Sequence, residues 1–297
     1  MKKLAIVSHD AGGAEVLSSW LKEMDLEFNS RLEGPAIKIF NNKFRNLNSL
    51  KLSELIKNSD ILICSASWES DIEKKAISLA KQFNKKTIVM FDHWINYEER
   101  LTHRNNLLIP DEIWVTDKYA LLIAQQIFSK IIIKLKKNFY MNNEIKNILH
   151  LKMNKTNKNK ILYICEPIEN HAKKQCDNEN AWGYNEKDAI KNFLHYIPSI
   201  KNNYSKVVFR PHPSENVEKY SWVKIYSQKG FEIDINNTDT LVSQISSSSL
   251  VVGCESMAMV IALLAKKIVL TSIPEFGRPC VLPHKGIIKI KDFFSLG

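Results

Sequence analysis

No apolar run in the 297-residue chain approaches the ~20 residues that a bilayer-crossing helix needs. The first apolar run, Leu4–Val7 behind two lysines, is too short for a signal-peptide core and reads as a first strand. A cytoplasmic protein is therefore expected. Cysteine is scarce: the five residues are odd in number and lack C-x-x-C spacing, which argues against a disulfide framework and a zinc cage. No G-x-G-x-x-G motif occurs, so the dinucleotide fingerprint is absent. RNA-binding, zinc-finger and helix-turn-helix patterns are also missing, which leaves a nucleic-acid partner unsupported. No D-x-D element stands out, and neither a metal nor a cofactor is expected.

What is present is positive charge, +10 at neutral pH. Lys, Asn and Ile are abundant throughout, so the charge alone does not name a partner. It makes an anionic ligand comfortable. The lysine-rich residues 130–160 are either a solvated linker or a contact with an anionic membrane.

Short, nearly continuous apolar runs alternate with amphipathic helical stretches. KLAIVS, SDILICS, KKTIVMF and DEIWV are the runs of the first half. In the second half they are KILYI, KVVF, FEIDI, LVVG and IVLT. Such alternation marks parallel strands buried on both faces. The polar, Asn- and Lys-rich segment 141–160 separates the halves as a connector. The expected fold is α/β, with two Rossmann-like domains, 1–150 and 151–297, facing each other across a cleft.

Ligands in open parallel sheets sit beyond the carboxyl ends of the strands. In the first half, SHDAGGAE (residues 8–15) places His9 and Asp10 there as a base candidate. Asp10 also suits a helix N-cap. Gly12 and Gly13 would let the backbone approach a ligand at a helix start. FDHWINYEER (91–100) offers Asp92 and His93, either as a polar ligand surface or as a cap before core aromatics. In CSASWESD (64–71), a helix cap accounts for Ser67.

In the second half, CEPIENHA (165–172) points Glu166 towards the edge, and the polar stretch after it has the character of a mobile loop. FRPHPSE (209–215) pins His212 between Pro211 and Pro213 where a strand ends. Each proline fixes its own φ and biases its predecessor to an extended shape, so Arg210 and His212 are rigidly presented. Such a histidine can donate to a phosphate oxygen or act as a general acid. SSSSLVVGCES (246–256) ends a strand at Gly253 and starts a helix near Ser256. Its amides suit a phosphate, and Glu255 suits a ribose diol. The alternative is Ser256 as an N-cap and Glu255 as a solvated turn residue. TSIPEFGRPC (271–280) adds Ser272, Glu275 and Arg278 after the next strand.

The order of an E-P loop, R-P-H-P after the next strand and G-x-E-S before a helix resembles the nucleotide half of GT-B glycosyltransferases. It is similar to bacterial capsule and lipooligosaccharide enzymes that use CMP-activated sugars, such as sialyltransferases. CDP-glycerol glycerophosphotransferases also show an R-P-H-P segment. The resemblance covers most of residues 160–280; in the first half it rests on SHDAGG. It implies that His212 contacts the donor phosphate or protonates the leaving group. It implies that Ser256, with Ser248 or Ser249, holds the phosphate, and that an N-terminal carboxylate, Asp10, serves as base. The Asp/Glu-Asp/Glu-Gly triplet usual in sialyltransferases is missing. The expected partners are a nucleotide-sugar donor, CMP-linked by preference, and a glycan or lipid-linked glycan acceptor, with peripheral membrane contact as an option. Three other functions fit the same pattern: nucleotide-sugar epimerase or hydrolase, glycerophosphate transfer from CDP-glycerol, and non-catalytic nucleotide binding.

Overall fold

A computed structural model describes residues 2–151, 159–201 and 203–295. The chain divides into two compact units, Met1–Asn142 and Asn143–Gly297. The polar connector expected at 141–160 is helical from Phe139 to His150, while residues 152–158 lie outside the described residues.

Unit 1 contains β1 (Leu4–Ser8), β2 (Asn29–Leu32), β3 (Ile61–Ser65), β4 (Lys86–Met90), a two-stranded hairpin of β5 (Thr102–His103) and β6 (Asn106–Leu107), β7 (Glu112–Val115) and β8 (Ile132–Leu135). Its main sheet runs β2-β1-β3-β4-β7-β8 and is parallel throughout. Unit 2 contains β9 (Lys160–Ile164), β10 (Lys206–Arg210), β11 (Glu232–Ile235), β12 (Leu250–Gly253), β13 (Ile268–Thr271) and β14 (Ile287–Lys289). They form a second parallel sheet in the order β11-β10-β9-β12-β13-β14. Both units thus have the Rossmann-like α/β architecture expected from the runs.

The central strands are apolar because both faces are covered. Ala5, Ile6 and Val7 of β1, like Ile161, Leu162 and Tyr163 of β9, are buried. Trp20 packs against Trp114 in unit 1, with ring centroids 4.7 Å apart. Tyr163 packs against Phe209 in unit 2, centroids 4.9 Å apart. Strands β2, β8 and β14 lie at the sheet edges and were not visible in the apolar pattern. β2 is mostly half-buried and β8 and β14 are mostly exposed, and each mixes polar or charged residues with its apolar ones.

VEKYSWVKIYSQKG, whose sequence suggests a helix closed by Gly230, forms a 3-10 segment over Val217–Tyr226. Gly230, with φ +84°, sits in the turn that leads into β11.

Each sheet reverses its order at one place. In unit 1 the chain leaves β1 for β2 on one side and returns to β3 on the other. In unit 2 the same happens between β9 and β12. In sheets of this type, ligands bind at such a switch point beyond the carboxyl ends of the strands.

Candidate functional site

In unit 1, the loop after β1 carries His9 and Asp10. Asp10 precedes the Ala11–Glu23 helix with extended φ and ψ, yet its side chain makes no capping bond. Its carboxylate reaches across the switch point instead. Ser67 Oγ donates to it at 2.6 Å, the Glu69 amide at 3.2 Å, and the Trp68 amide also donates. His9 Nδ1 lies 2.7 Å from Oδ1. Burial pushes the Asp10 carboxyl up, but these four contacts outweigh it and hold it below the usual range.

Glu73 lies beneath this pair in the first turn of the Ile72–Gln82 helix. Its Oε1 accepts the His9 amide at 2.9 Å and Ser65 Oγ at 3.0 Å. Its Oε2 is buried with no partner among the described residues. Burial first, and then the Asp10 charge, push this carboxyl up to about 8. Asp92 follows β4, is buried, and is raised by burial and by Asp10 against the lowering effect of Arg100. Arg100 Nη1 is 3.4 Å from Asp92 and donates to the Ala66 carbonyl at 2.6 Å. Its guanidinium lies 5.9 Å from the Trp68 ring centroid. His93 is half-buried, with its carbonyl accepting Tyr97 OH at 2.9 Å. The expected residues His9, Asp10 and Asp92 therefore share one edge, joined by Glu73 and Arg100, which the sequence reading did not select.

Two expectations for unit 1 need correction. Gly13 does not open the backbone to a ligand: a Cβ there would lie 2.6 Å from Ser65 Cβ, so its smallness lets the helix start pack on β3. Gly12 lies half-buried in the same helical turn. Ser67 is not a helix cap: the Ile72–Gln82 helix has Asp71 at its N-cap, while Ser67 Oγ accepts the Ser70 amide at 3.0 Å and donates to Asp10.

Unit 2 repeats the arrangement. Glu166 follows β9, and its carboxylate accepts the amides of Cys254 at 2.8 Å and Glu255 at 3.0 Å, both just after β12. In each unit, a carboxylate after the first strand thus takes the backbone amides after the strand across the switch point. Burial and the Glu255 charge push Glu166 up to about 8, although the amides pull it down. This corrects the expectation of free amides at the Gly253–Ser256 turn. Glu166 already holds two of them.

Glu255 is buried rather than solvated, and Arg278 Nη2 pairs with its Oε1. Ser256 is the N-cap of the Met257–Leu264 helix, accepting the Ala258 amide at 3.2 Å. Gly253 serves packing: a Cβ there would lie 2.9 Å from Met259 Sδ and 3.3 Å from the Ile164 carbonyl.

Ser248 and Ser249 do not join Ser256, because they precede β12 at the amino edge of the sheet. The four-residue strand separates them by roughly 13 Å at about 3.3 Å per residue. Ser248 Oγ donates to the Gln244 carbonyl at 2.8 Å. Arg210, at the end of β10, is turned towards the β11 side. Its Nη1 donates to Asp239 O and to Gln244 Oε1, each at 2.7 Å. Both bonds serve the scaffold.

His212 is half-buried beside Pro211 at the carboxyl edge. The Ser214 amide points at its Nδ1 over 3.3 Å, and Ser214 Oγ is 2.7 Å from the same atom. An amide can only donate, so Nδ1 is an acceptor and the ring proton belongs on Nε2. The His171 ring stands edge-on to it at 6.3 Å.

The stretch after Glu166 is not a free loop. Its first part is the Ile168–Cys176 helix, and Trp182 and Tyr184 are buried against Ile168, Ala172 and Cys254. Gly183, with φ +75°, lets the backbone meet the Phe276 carbonyl, where a Cβ would lie 3.0 Å away. Gly277 in turn clears the Tyr184 ring, which a Cβ would approach to 2.5 Å. The Arg278 amide donates to the Trp182 carbonyl at 2.9 Å, and its guanidinium stacks 3.6 Å from the indole centroid. This clasp of two loops holds Arg278 over Trp182 and against Glu255. Buried Tyr184 OH and Arg278 Nε have no partner among the described residues.

No protein-family model and no curated protein matches the chain. Solved structures do match. UDP-GlcNAc 2-epimerase from Methanocaldococcus jannaschii superimposes with a TM-score of 0.57 at 12% identity, covering 91% of this chain and 83% of that one. Acinetobacter baumannii MurG superimposes with a TM-score of 0.53 at 8% identity, covering 99% of this chain and 82% of that one. These likenesses show the fold: two Rossmann-like units of the GT-B type. Among the described residues no helix is long and apolar enough to cross a membrane.

Proposed function

We propose that the protein is an inverting glycosyltransferase that moves a sugar from a nucleotide donor to a glycan acceptor. The observation that carries this reading is His212. Prolines fix its backbone, Ser214 directs its proton to Nε2, and it stands at the carboxyl edge of unit 2 beside His171. An Nε2–H held there suits a phosphate oxygen in which negative charge grows as the glycosidic bond breaks.

The donor belongs to unit 2, near the Gly253–Ser256 turn. Because Glu166 holds the turn amides and Arg278 holds Glu255, the donor phosphate falls to side-chain donors, His212 first. Unit 1 supplies the base. His9 and Asp10 form a hydrogen-bonded pair at 2.7 Å, and Asp10 is anchored by Ser67, Trp68 and Glu69. A carboxylate saturated with donors is a weak base but a good orienting group. His9 therefore takes the acceptor hydroxyl proton as the oxygen bonds to the anomeric carbon. The electron pair of the breaking C–O bond leaves on the phosphate, which His212 stabilises or protonates. Asp92 and His93 border the acceptor.

The resemblance of the R-P-H-P and G-x-E-S segments favours a CMP-linked ulosonic acid as donor and a surface glycan, free or lipid-linked, as acceptor. The test is a panel of CMP-, CDP-, UDP- and GDP-activated donors with and without oligosaccharide acceptors, read by mass spectrometry. Acceptor-dependent product that His212→Ala abolishes is the expected result. Donor turnover without acceptor would replace this reading with epimerase or hydrolase chemistry, and glycerophosphate transfer from CDP-glycerol would replace the sugar.

A further inference from the structure

A cavity of unit 2 lies beside the β9/β12 switch point, on its β13/β14 side. It has a volume of about 250 Å³ and opens at the carboxyl ends of β13 and β14. That is the edge on which ligands of parallel sheets bind. Its walls are mixed: Tyr196, Ile273 and Pro274 give an apolar side, while Asn192 and Thr271 are polar and Arg278, Lys289 and Lys291 bring three cations to the lining. Glu275 is the one carboxylate in the lining, and it pairs with Lys291.

Each wall is held in place. Tyr196 stacks on Phe294 with centroids 5.5 Å apart. Asn192 Nδ2 donates to the Ser272 carbonyl at 3.0 Å, tying the helix at Glu186–His195 to the loop after β13. Arg278 is fixed by the clasp with Trp182. The cavity is therefore preformed, not a gap between loosely placed loops.

We infer that this cavity is a binding site for a single-ring ligand carrying one anionic group, a sugar phosphate or a sugar acid. The volume falls just below the roughly 300 Å³ at which drug-sized sites begin, which suits one ring and one small charged group. The apolar side of the lining accepts the ring, and the positive charge left after the Arg278–Glu255 and Lys291–Glu275 pairs, carried by Lys289, selects for the anionic group. A phosphate and a carboxylate share this chemistry. The site is distinct from the proposed donor phosphate position at His212, although Arg278 also touches Glu255 at the switch point.

Isothermal titration calorimetry of the full chain tests this with ribose 5-phosphate, N-acetylneuraminate, inorganic phosphate and ribose. The expected result is saturable binding of one or both anionic sugars, tighter than about 1 mM, with ribose and phosphate alone weaker by tenfold or more. Whichever anionic sugar binds identifies the charged group. Lys289→Ala/Lys291→Ala should weaken that binding at least tenfold, while His212→Ala should leave it unchanged. Lys289 is exposed and Lys291 half-exposed, so the double variant keeps the fold, which circular dichroism verifies. The inference is overturned if neither anionic sugar binds below that concentration, or if the lysine variant binds as well as the parent. It is equally overturned if His212→Ala removes the binding, because the sugar then occupies the switch-point site. Loss of nucleotide-sugar turnover alone leaves this site untouched.

Discussion

The Glu166 carboxylate and the Cys254 amide, 88 residues apart in sequence, meet at 2.8 Å. Asp10 and the Trp68 amide, 58 residues apart, make the equivalent contact in unit 1. An internal carboxyl group therefore sits at each switch point, where a sheet of this type ordinarily leaves amides for a ligand. The loops on either side are stitched together before any ligand arrives.

Replacing Glu166 should separate charge from hydrogen bonding. Its folded pKa is about 8 against an ordinary 4.5, and Glu73 behaves alike. Each binds its proton more tightly in the folded chain. The stabilisation is full below the unfolded value, about pH 4.5, and is lost as pH rises through about 8. Glu166→Gln keeps an acceptor for the amides without the titration. Its melting temperature should fall less than the parent's between about pH 5 and 8. Glu166→Ala strands two buried amides and should cost about 2 kcal/mol or more at any pH in denaturant titrations. Equal slopes for the parent and Glu166→Gln would show that the carboxyl does not titrate in this window.

Gly13→Ala should destabilise unit 1 by about 1–3 kcal/mol, because its Cβ would stand 2.6 Å from Ser65 Cβ and both are in packed backbone. A thermal melt within a degree of the parent would mean that the helix start can shift freely.

The His9–Asp10 pair makes a kinetic prediction. With the true donor and acceptor, His9→Gln should reduce kcat by about 10²- to 10⁴-fold with little change in melting temperature. Asp10→Asn should both lower kcat and shift the pH–rate profile, since it alters the group that orients the imidazole. A His9 variant with full turnover would return the proton to another base.

Removing Arg278 exposes the Glu255 charge to burial without compensation. Burial already raises the Glu255 carboxyl, and Arg278 opposes this. In Arg278→Leu the carboxyl should rise further, so stability should fall more steeply as pH increases above the ordinary carboxylate range. Arg278→Lys should restore part of the pairing but not the planar stacking on Trp182, which Lys cannot reproduce. Identical pH–stability curves for parent and Arg278→Leu would show that the pair contributes nothing.

The sheet cores were legible in sequence because buried parallel strands need unbroken apolar runs, as in Leu4–Val7 and Leu250–Val252. The carboxyl-edge rule then located Asp10, Asp92, Glu166, His212 and Glu255 correctly at strand ends. It did not reveal what each carboxylate faces, since Glu166–Cys254 and Asp10–Ser67 are tertiary contacts with no local signal. Ser248 and Ser249 misled because a serine run reads alike at either end of a short strand. Trp182 and Tyr184 were hidden by polar neighbours, although two aromatics around a glycine in a polar stretch were a usable sign of burial. His171 lacks the proline bracket that made His212 conspicuous. Glu73 looked like an ordinary first-turn acid, and only its contacts with the His9 amide and Ser65 Oγ, distant in sequence, make it otherwise.

The interlocked glycines, Gly183 and Gly277, make two distant stretches of chain mutually dependent. Surface loops ordinarily absorb lengthening or shortening with ease, but here a residue gained or lost in either one would unseat the other and drag the stacked guanidinium away from its ring. Natural variation in this protein should therefore spare both loops together, or alter them only in matched steps.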